Sequence, residues 1–426
     1  MGCWCGHTGP LAPLRTSRHR SPPMLVRALV LAVATALVVV PAPASAASDR
    51  WDVQGEPTLR IQGRGYGHGH GMSQHGAEGA AREGLSAAEI LSFYYPGTAA
   101  GRAAGRISVL VSADTSDDLV VRPRRKLRVT DLGTGEHTML PEQPDGVDVQ
   151  AWRVRQDRKG RAKVAYLPQG AKDSGGWRKL LVLQGEGEFY AKNKPITLVL
   201  PGGTERAYRG KLRAAAPSQG SQARDTVNRL RLEDYLRGVV PLEMPASWSP
   251  AAVQAQAVAA RTYAAYERAH PRAGHYQVCD TTSCQVYGGA SAEHPASDAA
   301  IRETKGQARV VDGQPAFTQF SASSGGWTSA GSRDYLVAQE DPYDGHDGNP
   351  VHGWSVTVSD DRIESQWPAL GDLRQVEVLS RDGNGQWGGR VRSIRLTGSQ
   401  GKVTLSGDAF RFGLGLRSTW VTVRTG

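Results

Sequence analysis

Short segments in which apolar and polar residues alternate dominate the middle and the end of the chain. This two-residue period is typical of β-strands, and Gly, Asp and Pro residues that favour turns separate the segments. The segments predicted as strands are 107–111, 126–129, 147–154, 162–166, 180–183, 196–200, 391–396 and 402–405. The chain is therefore predicted to be rich in β-structure.

Two other regions carry helical spacing. From Ala251 to Arg268 the chain is rich in Ala and has no glycine or proline, and it follows Ser249-Pro250, a typical helix start. Near the N-terminus apolar residues recur at near-helical spacing, with Ser86 as the cap of the second part. We therefore predict an α+β fold, in which one or more β-rich subdomains pack with an Ala-rich helical region and long loops line a cleft.

Changes in composition divide the chain into four parts. They are a leader at 1–46, a Gly/His segment at 47–105, a β-rich subdomain at 106–215 and a core at 216–426. A short Gly/Ser-rich connection, residues 214–223, lies near the last boundary.

The leader has the three parts of a secretory signal peptide. Arginines at 15, 18, 20 and 27 precede the apolar run Ala28–Val40, and small residues at 44–46 form a cleavage signal. An uncleaved membrane anchor is the alternative, although the run is shorter than the ~20 residues that a spanning helix needs. No later run is long enough, so we expect an exported protein, secreted or at the cell wall, with no transmembrane segment after cleavage.

The charge balance is mildly basic. The formal net charge is +10, and residues 1–46 hold four arginines and no acidic residue, which leaves +6 for the remainder. A basic surface suits an anionic cell wall. No long Lys/Arg run interleaved with aromatic residues occurs, so we expect no nucleic-acid partner.

Glu243 is the strongest candidate for catalysis. It lies between Pro241 and Pro245, in a segment that cannot be continuous helix. Apolar neighbours, Leu242 and Met244 among them, would exclude water from its carboxyl. Desolvation raises a carboxyl pKa, and a general acid at neutral pH requires such a pKa. The alternative is a surface glutamate paired with an arginine.

The segment around Glu243, LEDYLRGVVPLEMPASWSPAAVQAQAVAAR at 232–261, resembles the SpoIID/LytB family. Three further motifs follow in the order of that family: CDTTSCQVYGG at 279–289, SASSGGWT at 321–328 and LSGDAFRFGLGLRST at 405–419. Sporulation members of the family are peptidoglycan lytic transglycosylases. The resemblance implies that Glu243 is the catalytic acid, that the substrate is the peptidoglycan glycan strand, and that the chemistry needs no cofactor.

One motif stands in an unexpected place. GRGYGHGHGMSQHGAEGAAREG, residues 63–84, resembles a motif that usually closes the family domain at its C-terminal end. Here it lies near the N-terminus. A circular permutation explains this order, because domain termini are commonly close together, and it predicts that residues 61–98 fold beside the end of the chain.

The Gly/His segment is predicted to bind glycan. Its glycines allow close approach of the backbone to a sugar, and His70, Ser73 and Gln74 supply hydrogen-bonding groups. A zinc site made of its histidines is the alternative, but the spacing differs from helical H-E-x-x-H. A zinc-dependent hydrolase would be the corresponding function.

His275, Cys279 and Cys284 form a second metal candidate. The resemblance permits a structural zinc, since some family members hold zinc with one histidine and two cysteines from this region. A disulfide between Cys279 and Cys284 is the alternative, which export to an oxidising compartment favours.

Further predicted substrate contacts are Arg261, Gln285 and Tyr287, with Ser323 and Ser324 in a Gly/Ser loop. A serine nucleophile in that loop lacks the G-x-S-x-G context.

A second function remains open. Members of the LytB type enhance an amidase, so the resemblance also allows a non-catalytic wall-binding protein whose partner is a cell-wall amidase.

Overall fold

The computed structural model describes residues 49–157, 159–192 and 194–424. The predicted signal peptide lies outside these residues. No helix in the described ranges is both long enough and apolar enough to cross a membrane. The α-helices within them are α1 (Gln74–Arg82), α2 (Ala87–Tyr94), α3 (Leu232–Arg237), α4 (Val240–Glu243), α5 (Pro250–Ala269), α6 (Pro295–Glu303), α7 (Asp360–Gln366) and α8 (Gly407–Leu414).

The strands of the first half of the chain begin in the N-terminal segment and continue through the β-rich zone. They are β1 (Arg50–Asp52), β2 (Thr58–Arg64), β3 (Met72–Ser73), β4 (Ala99–Arg102), β5 (Arg106–Leu110), β6 (Asp118–Val121), β7 (Leu127–Asp131), β8 (His137–Met139), β9 (Val149–Gln156), β10 (Ala162–Pro168), β11 (Arg178–Val182), β12 (Gly187–Ala191), β13 (Ile196–Val199), β14 (Glu205–Tyr208) and β15 (Lys211–Ala215). The strands of the second half are β16 (Asp225–Arg231), β17 (Val278–Cys279), β18 (Gln307–Val311), β19 (Gln314–Pro315), β20 (Phe320–Ser321), β21 (Gly353–Ser359), β22 (Leu373–Arg381), β23 (Val391–Gly398), β24 (Lys402–Ser406) and β25 (Val421–Arg424).

Two large sheets make up the β-rich zone. One has the order β17-β5-β16-β15-β12-β7-β8 and the other β11-β10-β9-β6-β13-β14. In the first sheet, β16 pairs antiparallel with both β5 and β15. This sheet therefore continues past the predicted boundary at residue 215, and the four-part division of the chain stays a prediction.

Helix α5 lies at the centre of the larger hydrophobic core. Its alanines, among them Ala255, Ala259 and Ala264, are fully buried, and it contacts α1, α2, α3, α6 and β18. Small side chains let these elements approach closely. The core extends from α5 into both large sheets.

A second, smaller core lies near the end of the chain. It is enclosed by the sheet β1-β22-β23-β24, the sheet β21-β2-β25 and the helices α7 and α8. In β23 the buried residues are Val391, Ile394 and Leu396, and the pairing with β22 shifts register between the first two.

The N-terminal Gly/His segment folds against the end of the chain, as the proposed permutation requires. Strand β2 lies between β21 and β25 and pairs antiparallel with both. After it, β3 pairs in parallel with β20. At Gly71, φ is +66°, and a Cβ atom would stand 2.1 Å from the carbonyl oxygen of Gln319, so only glycine fits there. The permutation itself stays a prediction.

The predicted α+β class is confirmed. Helix α5 begins at Pro250 and ends at Ala269, within one residue of the predicted limits at each end. Ser86 caps α2 as predicted, and it forms a capping box with Glu89. Several strands of the β-rich zone were not predicted, such as β12 and β14. Each is too short to show a clear alternation of apolar and polar residues.

Candidate active site

Glu243 is the last residue of α4, a single helical turn between two prolines. Pro241 stands in the first turn of α4, where its missing N–H costs no hydrogen bond, and Pro245 comes two residues after Glu243. The next helix begins only at Pro250. The backbone around Glu243 is therefore interrupted on both sides, as the prolines predict.

The carboxyl of Glu243 is largely removed from solvent. The backbone N–H of Val286 donates a hydrogen bond of 2.7 Å to its Oε1. Burial raises the pKa of Glu243 to about 7, while the Val286 hydrogen bond and the nearby Gln74 amide oppose the rise. Such a carboxyl is about half protonated at neutral pH, as a general acid requires.

This carboxyl faces a cavity of about 680 Å³, a size typical of small-ligand sites. Its walls come from distant parts of the chain, including the Gly/His segment, α4, α5, the loop after β17 and α8. The lining residues are Tyr66, Gly67, His68, Gln74, Glu243, Tyr263, Thr282, Ser283, Cys284, Gln319, Phe320, Ser321, Ala322, Arg411 and Phe412. Glu243 is the only carboxyl among these described residues.

The Gly/His segment supplies one wall of the cavity. Gln74, the first residue of α1, is only 7% exposed and lies beside Glu243. Its side-chain amide lies close enough to the Glu243 carboxyl to lower the pKa of that group by hydrogen bonding. Ser73 is buried and caps α1 by accepting the N–H of Gly76 at 3.0 Å. Of the residues in this segment that were predicted to contact substrate, Gln74 lines the cavity, whereas Ser73 is buried behind the cavity wall.

His70 lies beside a second, neighbouring cavity of about 370 Å³. His68 lines both cavities. Its Nδ1 accepts the backbone N–H of His70 at 2.9 Å. Burial, with the neighbouring His70 ring and Arg390, holds the pKa of His68 well below its usual value. His68 is therefore neutral at physiological pH and carries its proton on Nε2.

Ser323 and Ser324 are buried behind the cavity. The Ser323 hydroxyl donates to Asp344, and the Ser324 hydroxyl donates 2.8 Å to Oδ2 of Asp341. His352 also bonds to Asp344. These hydrogen bonds hold the Gly/Ser loop to the buried pair Asp341 and Asp344. Ser323 and Ser324 do not line the cavity, although both were predicted to contact substrate.

Arg261 is likewise placed in the core. Its side chain has no exposed surface, and its guanidinium makes a bidentate pair with Glu233, with N–O distances of 2.9 and 2.8 Å. Its remaining donors reach backbone carbonyls of Ala257, Ile301 and Gln307. Arg261 ties α5 to α3 and β18. It does not line the cavity, although its motif predicted a substrate contact.

Gln285 and Tyr287 are also structural. The Gln285 side chain accepts from the Tyr235 hydroxyl at 3.1 Å and is 1% exposed. The Tyr287 hydroxyl donates 2.6 Å to Asn228, and its ring packs against Tyr235. Both predicted contacts are instead core residues beneath the loop that holds Glu243.

The two cysteines form the predicted disulfide alternative. Cys279 and Cys284 are bonded, with a Cα–Cα distance of 5.5 Å. His275 Nε2 lies 2.6 Å from Asp225 instead. Throughout the described residues, no group of three or more His, Cys, Asp or Glu side chains is arranged to hold a metal ion. The geometry thus does not fit a zinc at His275 and the cysteines, nor one at the histidines of the Gly/His segment.

Several residues of the cavity rim were not predicted from the sequence. Phe412 is 70% exposed and Tyr66 47% exposed, unusual values for aromatic side chains. Arg411 lies next to them. The quoted motifs contain all three residues, but the motifs do not tell which side chains face the cavity.

The family comparison matches the segment that holds Glu243. Residues 220–310 match the model of the SpoIID family, described as stage II sporulation protein. This segment of the chain belongs to the SpoIID family. It contains α4, α5 and the disulfide loop, and the predicted resemblance is thereby confirmed.

Three relatives of known name match parts of the chain. The amidase enhancer of Bacillus subtilis (strain 168) is 37% identical over 137 residues, which is 31% of this chain and 18% of that protein. The stage II sporulation protein D of Bacillus amyloliquefaciens is 33% identical over 143 residues, 28% of this chain and 41% of that protein. The stage II sporulation protein D of Bacillus subtilis (strain 168) is 32% identical over 145 residues, which is 29% of this chain and 42% of that protein. The chain thus matches less than half the length of each.

Proposed function

We propose that the protein is a lytic transglycosylase that cleaves the β-1,4 bond between N-acetylmuramic acid and N-acetylglucosamine in peptidoglycan. The carboxyl of Glu243 carries this proposal, because burial raises its pKa to about 7 in a cavity of suitable size. The SpoIID segment and the similarity to sporulation proteins and an amidase enhancer support a cell-wall role.

A single carboxyl suits this reaction. Most hydrolytic glycosidases use two carboxyls, one to protonate the leaving oxygen and one to activate water or form an intermediate. Protonated Glu243 donates its proton to the glycosidic oxygen, and the C1–O bond of the muramyl residue breaks. The Glu243 carboxylate then removes the proton from the C6 hydroxyl of the same sugar, whose oxygen bonds to C1. The product ends in a 1,6-anhydro ring, no water is consumed and no cofactor takes part.

Other groups of the cavity fit a glycan. The side-chain amide of Gln74 is a hydrogen-bonding group next to the acid. The exposed rings of Tyr66 and Phe412 present apolar faces at the rim, on which the apolar face of a sugar ring can stack. His68 adds a neutral polar ring that can form hydrogen bonds with sugar hydroxyls.

We place the activity outside the cytoplasmic membrane. The predicted signal peptide at residues 1–46 is the sequence basis for this. The Cys279–Cys284 disulfide agrees with it, because such bonds persist in oxidising compartments.

The test is a digest of purified glycan strands, with and without stem peptides, read by mass spectrometry. The wild-type protein is compared with Glu243→Gln and with Glu83→Gln, a matched change at an exposed residue on the far end of α1. We expect fragments lighter by one water than hydrolysis products from the wild type and from Glu83→Gln, and none from Glu243→Gln. Fragments of full hydrolytic mass, or activity that survives in Glu243→Gln, would disprove the mechanism.

The similarity to an amidase enhancer favours a second candidate function. In this case the protein binds the wall and modulates a partner amidase without cleaving glycan. Sedimentation of folded protein with purified peptidoglycan, no products, and a faster amidase in its presence would together support this function over the first.

A further inference from the structure

Asp344 is a fully buried carboxylate that no step of the proposed reaction uses. Burial alone would raise its pKa, but hydrogen bonds from His352, Ser73 and Ser323 outweigh burial and hold the pKa below its usual value. The Arg64 guanidinium donates to Nε2 of His352, so Nδ1 carries the proton of this ring. The donors to Asp344 are the hydroxyls of Ser73 at 2.6 Å and Ser323 at 2.8 Å, the N–H groups of Ser324 at 2.9 Å and Gly325 at 3.0 Å, the Asn349 amide at 3.1 Å and His352 Nδ1 at 2.8 Å.

These donors come from separate parts of the chain. Ser73 precedes α1 in the N-terminal Gly/His segment, 271 positions from Asp344. Ser323, Ser324 and Gly325 belong to the Gly/Ser loop. The two parts also bond to each other directly, since the N–H of Ser324 donates to the Ser73 hydroxyl at 3.2 Å. Asp344 thus holds the start of α1 against this loop.

The Ser73 hydroxyl has all of its hydrogen-bonding capacity in use. A serine hydroxyl supplies one donor and two acceptor positions. Its proton goes to Asp344, and its oxygen accepts the N–H groups of Gly76 at 3.0 Å and Ser324 at 3.2 Å. Rotation of the hydroxyl would break at least one of these bonds. The position of Ser73, and with it the first turn of α1, is therefore tightly restrained.

Two residues that are held in this way line the cavity. Gln74 directly follows the restrained serine, and its amide lies close enough to the Glu243 carboxyl to lower the pKa of that group by hydrogen bonding. Tyr66 exchanges two backbone hydrogen bonds with Ser323, at 2.9 and 3.1 Å. Asp344 itself is not among the described residues that line the cavity. Its contact with the acid is therefore indirect.

The charge of Asp344 does not act directly on the acid. The pKa of Glu243 is set by burial, by the N–H of Val286 and by the amide of Gln74. The other titratable side chains among the described residues that line the cavity have no part in it either; they are Tyr66, His68, Tyr263 and Arg411. Of the influences on Glu243, only the Gln74 amide belongs to a residue next to one that Asp344 holds.

We propose that Asp344 is a positioning residue for the acid: by holding Ser73, it keeps the Gln74 amide against the Glu243 carboxyl. The proposal rests on the function proposed above, since there Glu243 acts as an acid. Without Asp344 the first turn of α1 can move away, and Glu243 loses a hydrogen-bonding partner. The contact limits how far burial raises the pKa of Glu243, so that the carboxyl can both give and take up a proton near neutral pH.

The test measures the pKa of Glu243 directly, without substrate or turnover. The protein is made with isotope-labelled glutamate side chains, and the carboxyl signal of Glu243 is assigned by its absence from the NMR spectrum of Glu243→Gln. This signal is titrated across neutral pH in the wild type, in Asp344→Asn and in Ser73→Ala. Each of the three is also titrated with Gln74→Ala added.

Asp341→Asn is the matched control. Asp341 is a second buried carboxyl behind the cavity, and its side-chain donors are Tyr94 and Ser324. Among the described residues it makes no hydrogen bond with Ser73, so this variant alters the same core without releasing the start of α1. Ser73→Ala removes a single hydroxyl, and it provides the test if Asp344→Asn does not fold.

We expect Gln74→Ala to raise the pKa of Glu243 by roughly half a unit to one unit, the shift that loss of one hydrogen bond produces. Asp344→Asn and Ser73→Ala should shift the pKa in the same direction and by no more than this. In the presence of Gln74→Ala neither should change it further, because the group through which they act is already absent. Asp341→Asn should leave the pKa of Glu243 unchanged.

Two results would overturn the proposal. One is a shift in Asp344→Asn that persists in full when Gln74→Ala is added, which would show that Asp344 acts by another route. The other is a pKa of Glu243 equal to that of the wild type in folded Asp344→Asn or in Ser73→Ala. If the wild type cleaves no glycan but the pKa values respond as expected, the lytic reaction fails and the positioning of the carboxyl by Asp344 stands.

Discussion

The N–H of Val286 and the carboxyl of Glu243 are joined by a hydrogen bond of 2.7 Å, although 43 positions separate them in the chain. Val286 follows the disulfide loop, and Glu243 ends α4. The bond restrains the orientation of the carboxyl. The acid is thus positioned by a neighbouring loop as well as by its own helix.

The raised pKa of Glu243 predicts a pH dependence of stability. Its folded-state pKa is about 7, above the value of 4.5 in an unfolded chain. Below pH 4.5 the carboxyl is protonated in both the folded and the unfolded state, so it does not change the free energy of unfolding. Above pH 7 the folded state holds a buried charge, which lowers the free energy of unfolding. Glu243→Gln should therefore have a higher melting temperature than the wild type at pH 8, with a difference that shrinks toward pH 5. Thermal unfolding at both pH values measures this, and a difference that is constant with pH would contradict it.

The same pKa predicts how cleavage responds to pH. The first step needs protonated Glu243, so kcat should fall as pH rises above about 7. A second carboxylate beside it would disfavour ionisation further. In Gln74→Glu the decline should move to higher pH by about one unit, and Gln400→Glu, at an exposed position, should leave the profile unchanged. A pH–rate profile of each variant checks this, and a Gln74→Glu profile identical to that of the wild type would refute the placement of Gln74 beside the acid.

The disulfide is predicted to stabilise the loop that carries Val286. Residues 282–284 of this loop also line the cavity. Replacement of Cys279 and Cys284 by serine should lower the free energy of unfolding by about 2 kcal/mol, the value expected for so short a loop. The rate of glycan cleavage should fall as well, because the loop that donates to Glu243 is less restrained.

Denaturant unfolding with and without reductant measures the effect. Reductant should destabilise the wild type and have no effect on the double variant. Equal stability of all four samples would show that the loop does not need the bond.

Arg261 is predicted to act on stability and not on substrate. Arg261 is fully buried and its partner Glu233 is 27% exposed, so Arg261→Met loses charged hydrogen bonds and should lower the free energy of unfolding by about 2 kcal/mol. Arg302→Met, at an exposed position on α6, should have little effect. Urea unfolding measures both variants. If Arg261→Met bound glycan more weakly but had unchanged stability, Arg261 would have the substrate contact predicted from its motif, and the prediction made here would be wrong.

Local signals in the sequence determined much of the secondary structure. The run without glycine or proline after Ser249-Pro250 predicts α5 almost to the residue, and Ser86 predicts the start of α2. Pro241 and Pro245 predict the interruption around Glu243. These features depend on backbone dihedrals and on hydrogen bonds between near neighbours, so the local sequence is sufficient to specify them.

Only the tertiary structure decided which side chains reach the cavity. Arg261, Gln285 and Ser323 belong to the motifs as clearly as Gln74 does, yet they are buried behind the site. Arg411 lines the cavity together with residues of the Gly/His segment, which comes from the other end of the chain. The pKa of Glu243 likewise depends on burial by segments from both ends of the chain. The sequence by itself singled out Glu243 as the candidate acid and predicted the elements around it, whereas contacts between residues far apart along the chain determine the environment of its carboxyl.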